Sequence, residues 1–197
     1  MIRKLVAIGT LAALAATIAA PAALAKGPKA PGEATIYDIV EASASASAPQ
    51  FTYLKAALDA TGLDAALDMP GVQYTVFAPT DAAFEKVADE LYAGAGLGDG
   101  TVPTLLGFLV TNGLADDVLL YHVADGRRFS NSVVNANNNK AIETLLGAYI
   151  WSTPMAKLVD AAPSTSDAQI LAPDLANISA RNGVIHVIDN VLVPLSI

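Results

Sequence analysis

The stretch Tyr74-Thr75-Val76-Phe77-Ala78-Pro79-Thr80-Asp81-Ala82-Ala83-Phe84 changes its period halfway, and that change decides how the chain must fold. With Val72 and Gln73 in front, apolar residues alternate up to Phe77 as in a β-strand. Pro79 ends the strand because it lacks a ladder donor. Thr80 and Asp81 can accept hydrogen bonds from free backbone N–H groups, so a helix starts at once. Phe84, Val87 and Leu91 give that helix its apolar face.

Towards the N-terminus the pattern is helical. Thr35 followed by Asp38 forms a capping-box pair, and Ile36, Ile39 and Val40 share one face. Ser43 to Pro49 is a connection. Phe51, Leu54 and Leu58 mark a second helix with Gly62 as its C-terminal cap. Leu63 to Leu67 adds a short helical turn.

Towards the C-terminus, Ala93 to Gly100 reads as a glycine-rich loop. Pro103 opens a helix carrying Leu105, Leu106 and Leu109, and Gly113 breaks it. Val118 to Val123 is apolar and reads as helix, although a buried strand fits the same pattern. After the Asp125-Gly126 turn the chain becomes strand-like over Phe129 to Val134, Ala148 to Ser152, Ile170 to Leu171, Ile178 to Ala180 and Val184 to Ile188. Asn182-Gly183 is a two-residue hairpin signal, and Val191 to Val193 is a candidate last strand. Helices crowd the first half and strands the second, which is the pattern of an α+β fold.

The ends and the composition set the cellular expectations. Arg3 and Lys4, an uncharged run from Leu5 to Ala20, and Ala23-Leu24-Ala25 together have the layout of a secretory signal peptide. The expected organisation is a cleavable signal over residues 1–25, a flexible leader over 26–34 and one domain over 35–197. Localisation is therefore expected to be secreted or periplasmic. The chain has no cysteine, so neither a disulfide framework nor a thiolate metal site is available. In an exported protein this leans towards a bacterial source. The formal charge is -8, and removal of Arg3 and Lys4 makes the product more acidic still. Such a domain is not drawn to nucleic acid or anionic lipid, and no stable membrane anchor is expected.

Three segments together resemble a known family. They are residues 74–84; Leu119-Leu120-Tyr121-His122-Val123 with Asp125-Gly126; and Asn182-Gly183-Val184-Ile185-His186-Val187-Ile188-Asp189-Asn190-Val191-Leu192-Val193-Pro194. They resemble the two signature stretches and the Tyr-His motif of a fasciclin (FAS1) domain. Thr144-Leu145-Leu146-Gly147 resembles the Thr-Leu-x-Gly between them. The resemblance spans about Thr35 to Pro194. It implies a β-sandwich or wedge with helices packed at one side and edge. In the third segment Val184, His186 and Ile188 share one face and Ile185 and Val187 the other, so the strand should be buried on both faces.

No catalytic constellation stands out, and an enzyme is not expected. The only histidines, His122 and His186, lie far apart, so neither a metal nor another cofactor is expected. There is no Gly-x-Ser-x-Gly turn and no phosphate-binding glycine loop. Asn177-Ile178-Ser179 fits a glycosylation sequon by chance, and Asn135 to Asn139 reads as a solvated turn. His122 reads as a core-margin histidine that orders a helix end through hydrogen bonds, while the resemblance implies that the segment around Tyr121 and His122 makes contacts in animal members. Tyr92, Tyr149 and Trp151 are candidate aromatic anchors. Thr80, Asp81, Asn182, Gly183 and His186 are candidate structural positions. The expected function is an exported adhesion or interaction module for a protein or polysaccharide at the cell surface or extracellular matrix. The alternative is a carrier of an apolar small molecule such as a carotenoid or lipid. The sequence leaves the oligomeric state open.

Overall fold

A computed structural model describes residues 32–95, 100–171 and 176–194; the expected signal at 1–25 and most of the expected leader at 26–34 lie outside the described residues. Local sequence rules start the first helices as expected. Thr35 caps α1 (Ile36–Ala44): its hydroxyl accepts from the Asp38 N–H at 3.1 Å while the Asp38 carboxylate accepts from the Thr35 N–H at 2.8 Å. α2 (Thr52–Thr61) ends at Gly62 with φ 74°, a left-handed cap that glycine adopts without strain. α3 (Asp64–Asp68) follows, and then β1 (Tyr74–Pro79) runs into α4 (Asp81–Ala95).

The two capping candidates at that junction divide the work. The Thr80 hydroxyl accepts from the Ala83 N–H at 3.2 Å and caps α4. The Asp81 carboxylate instead accepts from the Tyr53 N–H at 3.0 Å, in the first turn of α2. One residue thus ties two helix starts together. α4 continues to Ala95, further than the expected loop boundary at Ala93; residues 96–99 lie outside the described residues.

α5 (Val102–Thr111) and α6 (Ala115–Tyr121) complete the main helices. The expected helix over Val118 to Val123 stops at Tyr121, because Val123 enters a strand, β2 (Val123–Asp125). The strand expected over Phe129 to Val134 is a single helical turn, α7 (Ser130–Val133). Its Ser130 N–H is taken by the Asn177 side chain and its Ser130 carbonyl by the Val134 N–H, so no ladder partner is left for a strand. The remaining strands are β3 (Lys140–Glu143), β4 (Tyr149–Ser152), β5 (Lys157–Val159), β6 (Ala168–Gln169), β7 (Ile178–Ala180) and β8 (Gly183–Ile188). Ile170 pairs only as a lone bridge to Ile188.

The strands form two four-stranded sheets, ordered β2-β1-β8-β7 and β3-β4-β5-β6. In the first, central sheet, β1 and β8 run parallel from Tyr74 opposite Gly183 to Pro79 opposite Ile188. Both strands are buried on both faces, as expected for β8. Val76, Ala78, Ile185 and Val187 face a core shared with the helices. Phe77 and Ile188 face a second core, shared with Ile142, Ile150 and Leu158 of the outer sheet. The molecule is therefore three layers: helices, central sheet, outer sheet. This α+β arrangement agrees with the expected sandwich with helices on one side.

The β7–β8 hairpin exists, but its two loop residues are Arg181 and Asn182, since Ala180 pairs with Gly183. Gly183 is needed for another reason than a turn. A Cβ there would lie 2.2 Å from the Tyr74 carbonyl oxygen, so only glycine lets β1 and β8 meet. Asn182 is buried, and its amide accepts from the Ile36 N–H and donates to the Leu67 carbonyl, pinning the hairpin to α1 and α3.

The strand expected over Val191 to Val193 is instead an irregular buried segment. Side chains replace the ladder: the Val191 N–H donates to Asn190 Oδ1, the Leu192 N–H to His122 Nε2, and the Val193 N–H to Asp160 Oδ2. Each buried donor is satisfied without a neighbouring strand.

Candidate interaction surface

Tyr121 and His122 close α6, and both are buried. The Tyr121 hydroxyl donates to the Tyr149 carbonyl at 3.0 Å, fixing the start of β4. His122 sits where three parts of the chain converge. Its Nε2 accepts from the Leu192 N–H at 2.9 Å, so that nitrogen carries no proton. Its Nδ1 then bears the proton and donates to the Val118 carbonyl at 2.7 Å. Its own carbonyl accepts from the Phe77 N–H. Burial pushes the His122 pKa down to about 4, so the ring is neutral. With every polar atom engaged and almost no exposed surface, the pair has no polar group free for a protein or polysaccharide partner. This burial favours a structural role over the contact role that the resemblance implies for the segment.

His186 is equally enclosed. Its Nε2 donates to the Arg128 carbonyl at 2.8 Å, and its ring stacks on Phe77 with centroids 5.7 Å apart. Desolvation holds its pKa below the ordinary histidine value. Among the described residues, no three His, Cys, Asp or Glu side chains are grouped to hold a metal ion. The Asn177 amide of the sequon is engaged with Ser130.

The exposed candidates lie on β4. Its side chains alternate, with Ile150 and Ser152 inward and Tyr149 and Trp151 outward, 51% and 49% exposed. Two residues apart on one strand, the aromatic side chains stand roughly 7 Å from each other. Their neighbours follow from the register. Glu143 of β3 is opposite Tyr149, while Trp151 lies between Ala141 of β3 and Val159 of β5. Ala141 and Val159 are short, so the indole stands proud of the sheet. Lys157 of β5 is on the same face, paired with Asp167 at 2.5 Å. The outer face of this sheet is thus an apolar aromatic pair rimmed by charge, with the inward residues Ile142, Ile150 and Leu158 anchoring it to the core. Tyr92 does not join it: it lies on α4, half-buried against the helical core. The Asn135 to Asn139 turn is exposed beside β3, and the Asn135 side chain accepts from the Asn137 N–H.

Sequence reasoning missed a second feature. Val40, Leu54, Leu58, Leu67, Leu119 and His122 line a narrow apolar slot of about 40 Å3, with Leu145 among its lining residues. The residues come from α1, α2, α3 and α6, so periodicity within one element could not have grouped them.

Comparison with known proteins agrees with this architecture. The model of the fasciclin domain matches residues 49–194. Two Synechocystis proteins are similar. Sll1735, itself uncharacterized, is 33% identical over 143 residues, covering 73% of this chain and 89% of the relative. Sll1483 is 33% identical over 144 residues, covering 73% of this chain and 67% of the relative. Among solved structures, the FAS1 domain pair of the insect cell adhesion molecule fasciclin I superposes with a TM-score of 0.56 at 17% identity. That match covers 83% of this chain and 51% of the insect one, so the chain spans about half of the domain pair. With the strand–cap–helix junction, the buried Tyr-His pair and the central β8 all falling inside the matched span, the chain belongs to the fasciclin family.

Proposed function

We propose that this protein is an exported, non-enzymatic interaction module that binds a protein or polysaccharide at the cell surface or in the extracellular matrix. The observation that carries this reading is the exposed Tyr149–Trp151 pair on the outer sheet. Large aromatic side chains fixed on a rigid strand and half open to solvent lose little entropy on binding. The family supports the adhesive reading, and so does the adhesion molecule whose domain pair has this fold. A secretory signal over residues 1–25 would deliver the domain to the periplasm or beyond. N-terminal sequencing of the exported protein should then begin at Lys26.

The test replaces both aromatics, Tyr149→Ser with Trp151→Ser, and measures surface attachment and retention on the native cell envelope. The expected result is loss of both with an unchanged melting temperature. Wild-type retention by the double variant would overturn the reading.

The second reading is carriage of an apolar small molecule such as a carotenoid or lipid, for which the apolar slot of about 40 Å3 would have to widen on binding. Its lining offers shape and apolar surface, with His122 neutral and already bonded. Natively purified protein would carry an extractable lipid or a visible absorbance. Colourless protein that takes up neither added carotenoid nor fatty acid would end this reading.

A further inference from the structure

The sequence from Gly100 to Ala115 contains no charged residue, and α5 occupies most of it. The helices α1, α2, α3, α4 and α6 each carry at least one Asp, Glu or Lys. Val102, Leu105 and Leu109 of α5 point into the core. The opposite face exposes Thr104, Gly107, Phe108, Val110 and Thr111, with Phe108 52% and Val110 43% open to solvent. A surface helix normally shows a polar, charged outer face; this one shows an apolar, neutral face.

Gly107 makes the anomaly sharper. It sits mid-helix, where glycine is weaker than alanine. A Cβ added there would meet nothing within 4 Å, so no contact inside the molecule requires its absence. What the missing side chain leaves is bare helix backbone between Thr104, Phe108 and Thr111, into which another helix can pack closely.

We propose that this face of α5 docks onto the same face of a second copy of the chain. The charge balance selects that occupant. The chain carries 19 Asp and Glu against 11 Lys and Arg, so two copies repel over most of their surface. A two-fold contact brings a patch against itself, and a neutral apolar patch is self-complementary where an acidic one is not. A lipid surface fits less well, because an interfacial helix uses Lys or Arg on its polar face and none lies between Gly100 and Ala115. The contact is small. A ten-residue helix is about 15 Å long, short of what a standard interface of about 1,600 Å2 buries. The contact therefore belongs with weak, transient encounters, which bury less than about 1,200 Å2. It is independent of the Tyr149–Trp151 face, which lies on a different layer.

Sedimentation velocity tests this over about 10 µM to 1 mM protein, at about 0.02 M and 0.3 M salt, because added salt screens the repulsion between copies. The expected result is mass that rises with concentration, and rises more at high salt, the reverse of a salt-bridged interface. Phe108→Glu should weaken association at least about tenfold by placing like charges face to face. Gly107→Leu should weaken it as well, while its melting temperature stays equal to or above wild type. A wild-type protein monomeric at every concentration would overturn the proposal. So would association that survives Phe108→Glu, or that is lost on Trp151→Ser instead. Neutral phosphatidylcholine vesicles serve as a control: binding to them that requires Phe108, with no dimer in solution, would assign the face to lipid and overturn it too.

Discussion

The central and outer sheets each have four strands but treat their faces differently. β1 and β8 are buried on both faces, apart from Tyr74 at the start of β1. β4 buries every second residue and offers the others outward. The first sheet is bound by packing on two sides, so substitutions in it should cost stability. The second has one face free of that constraint, so substitutions there should change binding and leave stability alone. Under the proposed function, stability and recognition are separated by layer.

The most severe way to break the comparison is Gly183→Ala. The new methyl would collide with the Tyr74 carbonyl, and overpacking at a backbone contact should cost more than about 4 kcal/mol in urea denaturation. Next comes acid. His122 has a folded pKa of about 4, below the unfolded value of 6.5. Its contribution is present above pH 6.5 and lost as pH falls towards 4, by about 3 kcal/mol at 1.36 kcal/mol per unit. His186 acts in the same direction. Asp160 opposes them: burial raises its pKa to about 6, so ionisation weakens the fold and acid relieves it between pH 6 and 3.8. The two effects nearly offset over this window, so the clear readout is the difference between proteins: His122→Leu should gain stability relative to wild type as pH falls from 6.5 towards 4. At pH 7 that variant should lose about 1–3 kcal/mol, because the buried Leu192 N–H loses its acceptor.

Smaller effects sharpen the contrast. Tyr121→Phe removes the hydroxyl that holds the Tyr149 carbonyl, costing about 1 kcal/mol by thermal denaturation. It should also loosen the presentation of Tyr149 and Trp151, reducing envelope retention. At the low end, Trp151→Ser should shift stability by less than about 0.5–1 kcal/mol while binding falls.

Much of this fold could be read from short-range rules. The Thr35–Asp38 box, the Gly62 cap and the Pro79–Thr80 break each depend on neighbours in sequence, and each appears as expected. What could not be read depends on distant partners. β3, β5 and β6 are two to four residues long, too short for a period to register. Val191 to Val193 looks like a strand by composition, yet its donors go to side chains that arrive from His122 and Asp160. For the site, Tyr149 and Trp151 were legible as aromatics, but not their exposure. Tyr149, Ile150, Trp151 and Ser152 are all uncharged, so either phase of the strand could have faced the core. His122 reads in the sequence as a core-margin residue, but the burial of Tyr121 was hidden, because a tyrosine near a helix end reads the same at a surface as inside.

The pairing of Tyr74 with Gly183 has a kinetic corollary. The two central strands come from distant parts of the chain, and no hairpin brings them together. Closing the middle of the sheet must wait for a long excursion of polypeptide to be ordered first, and such non-local topology slows folding. A chain that reaches its compact state only when its late segment docks stays threadable for longer, as the proposed export before folding would require.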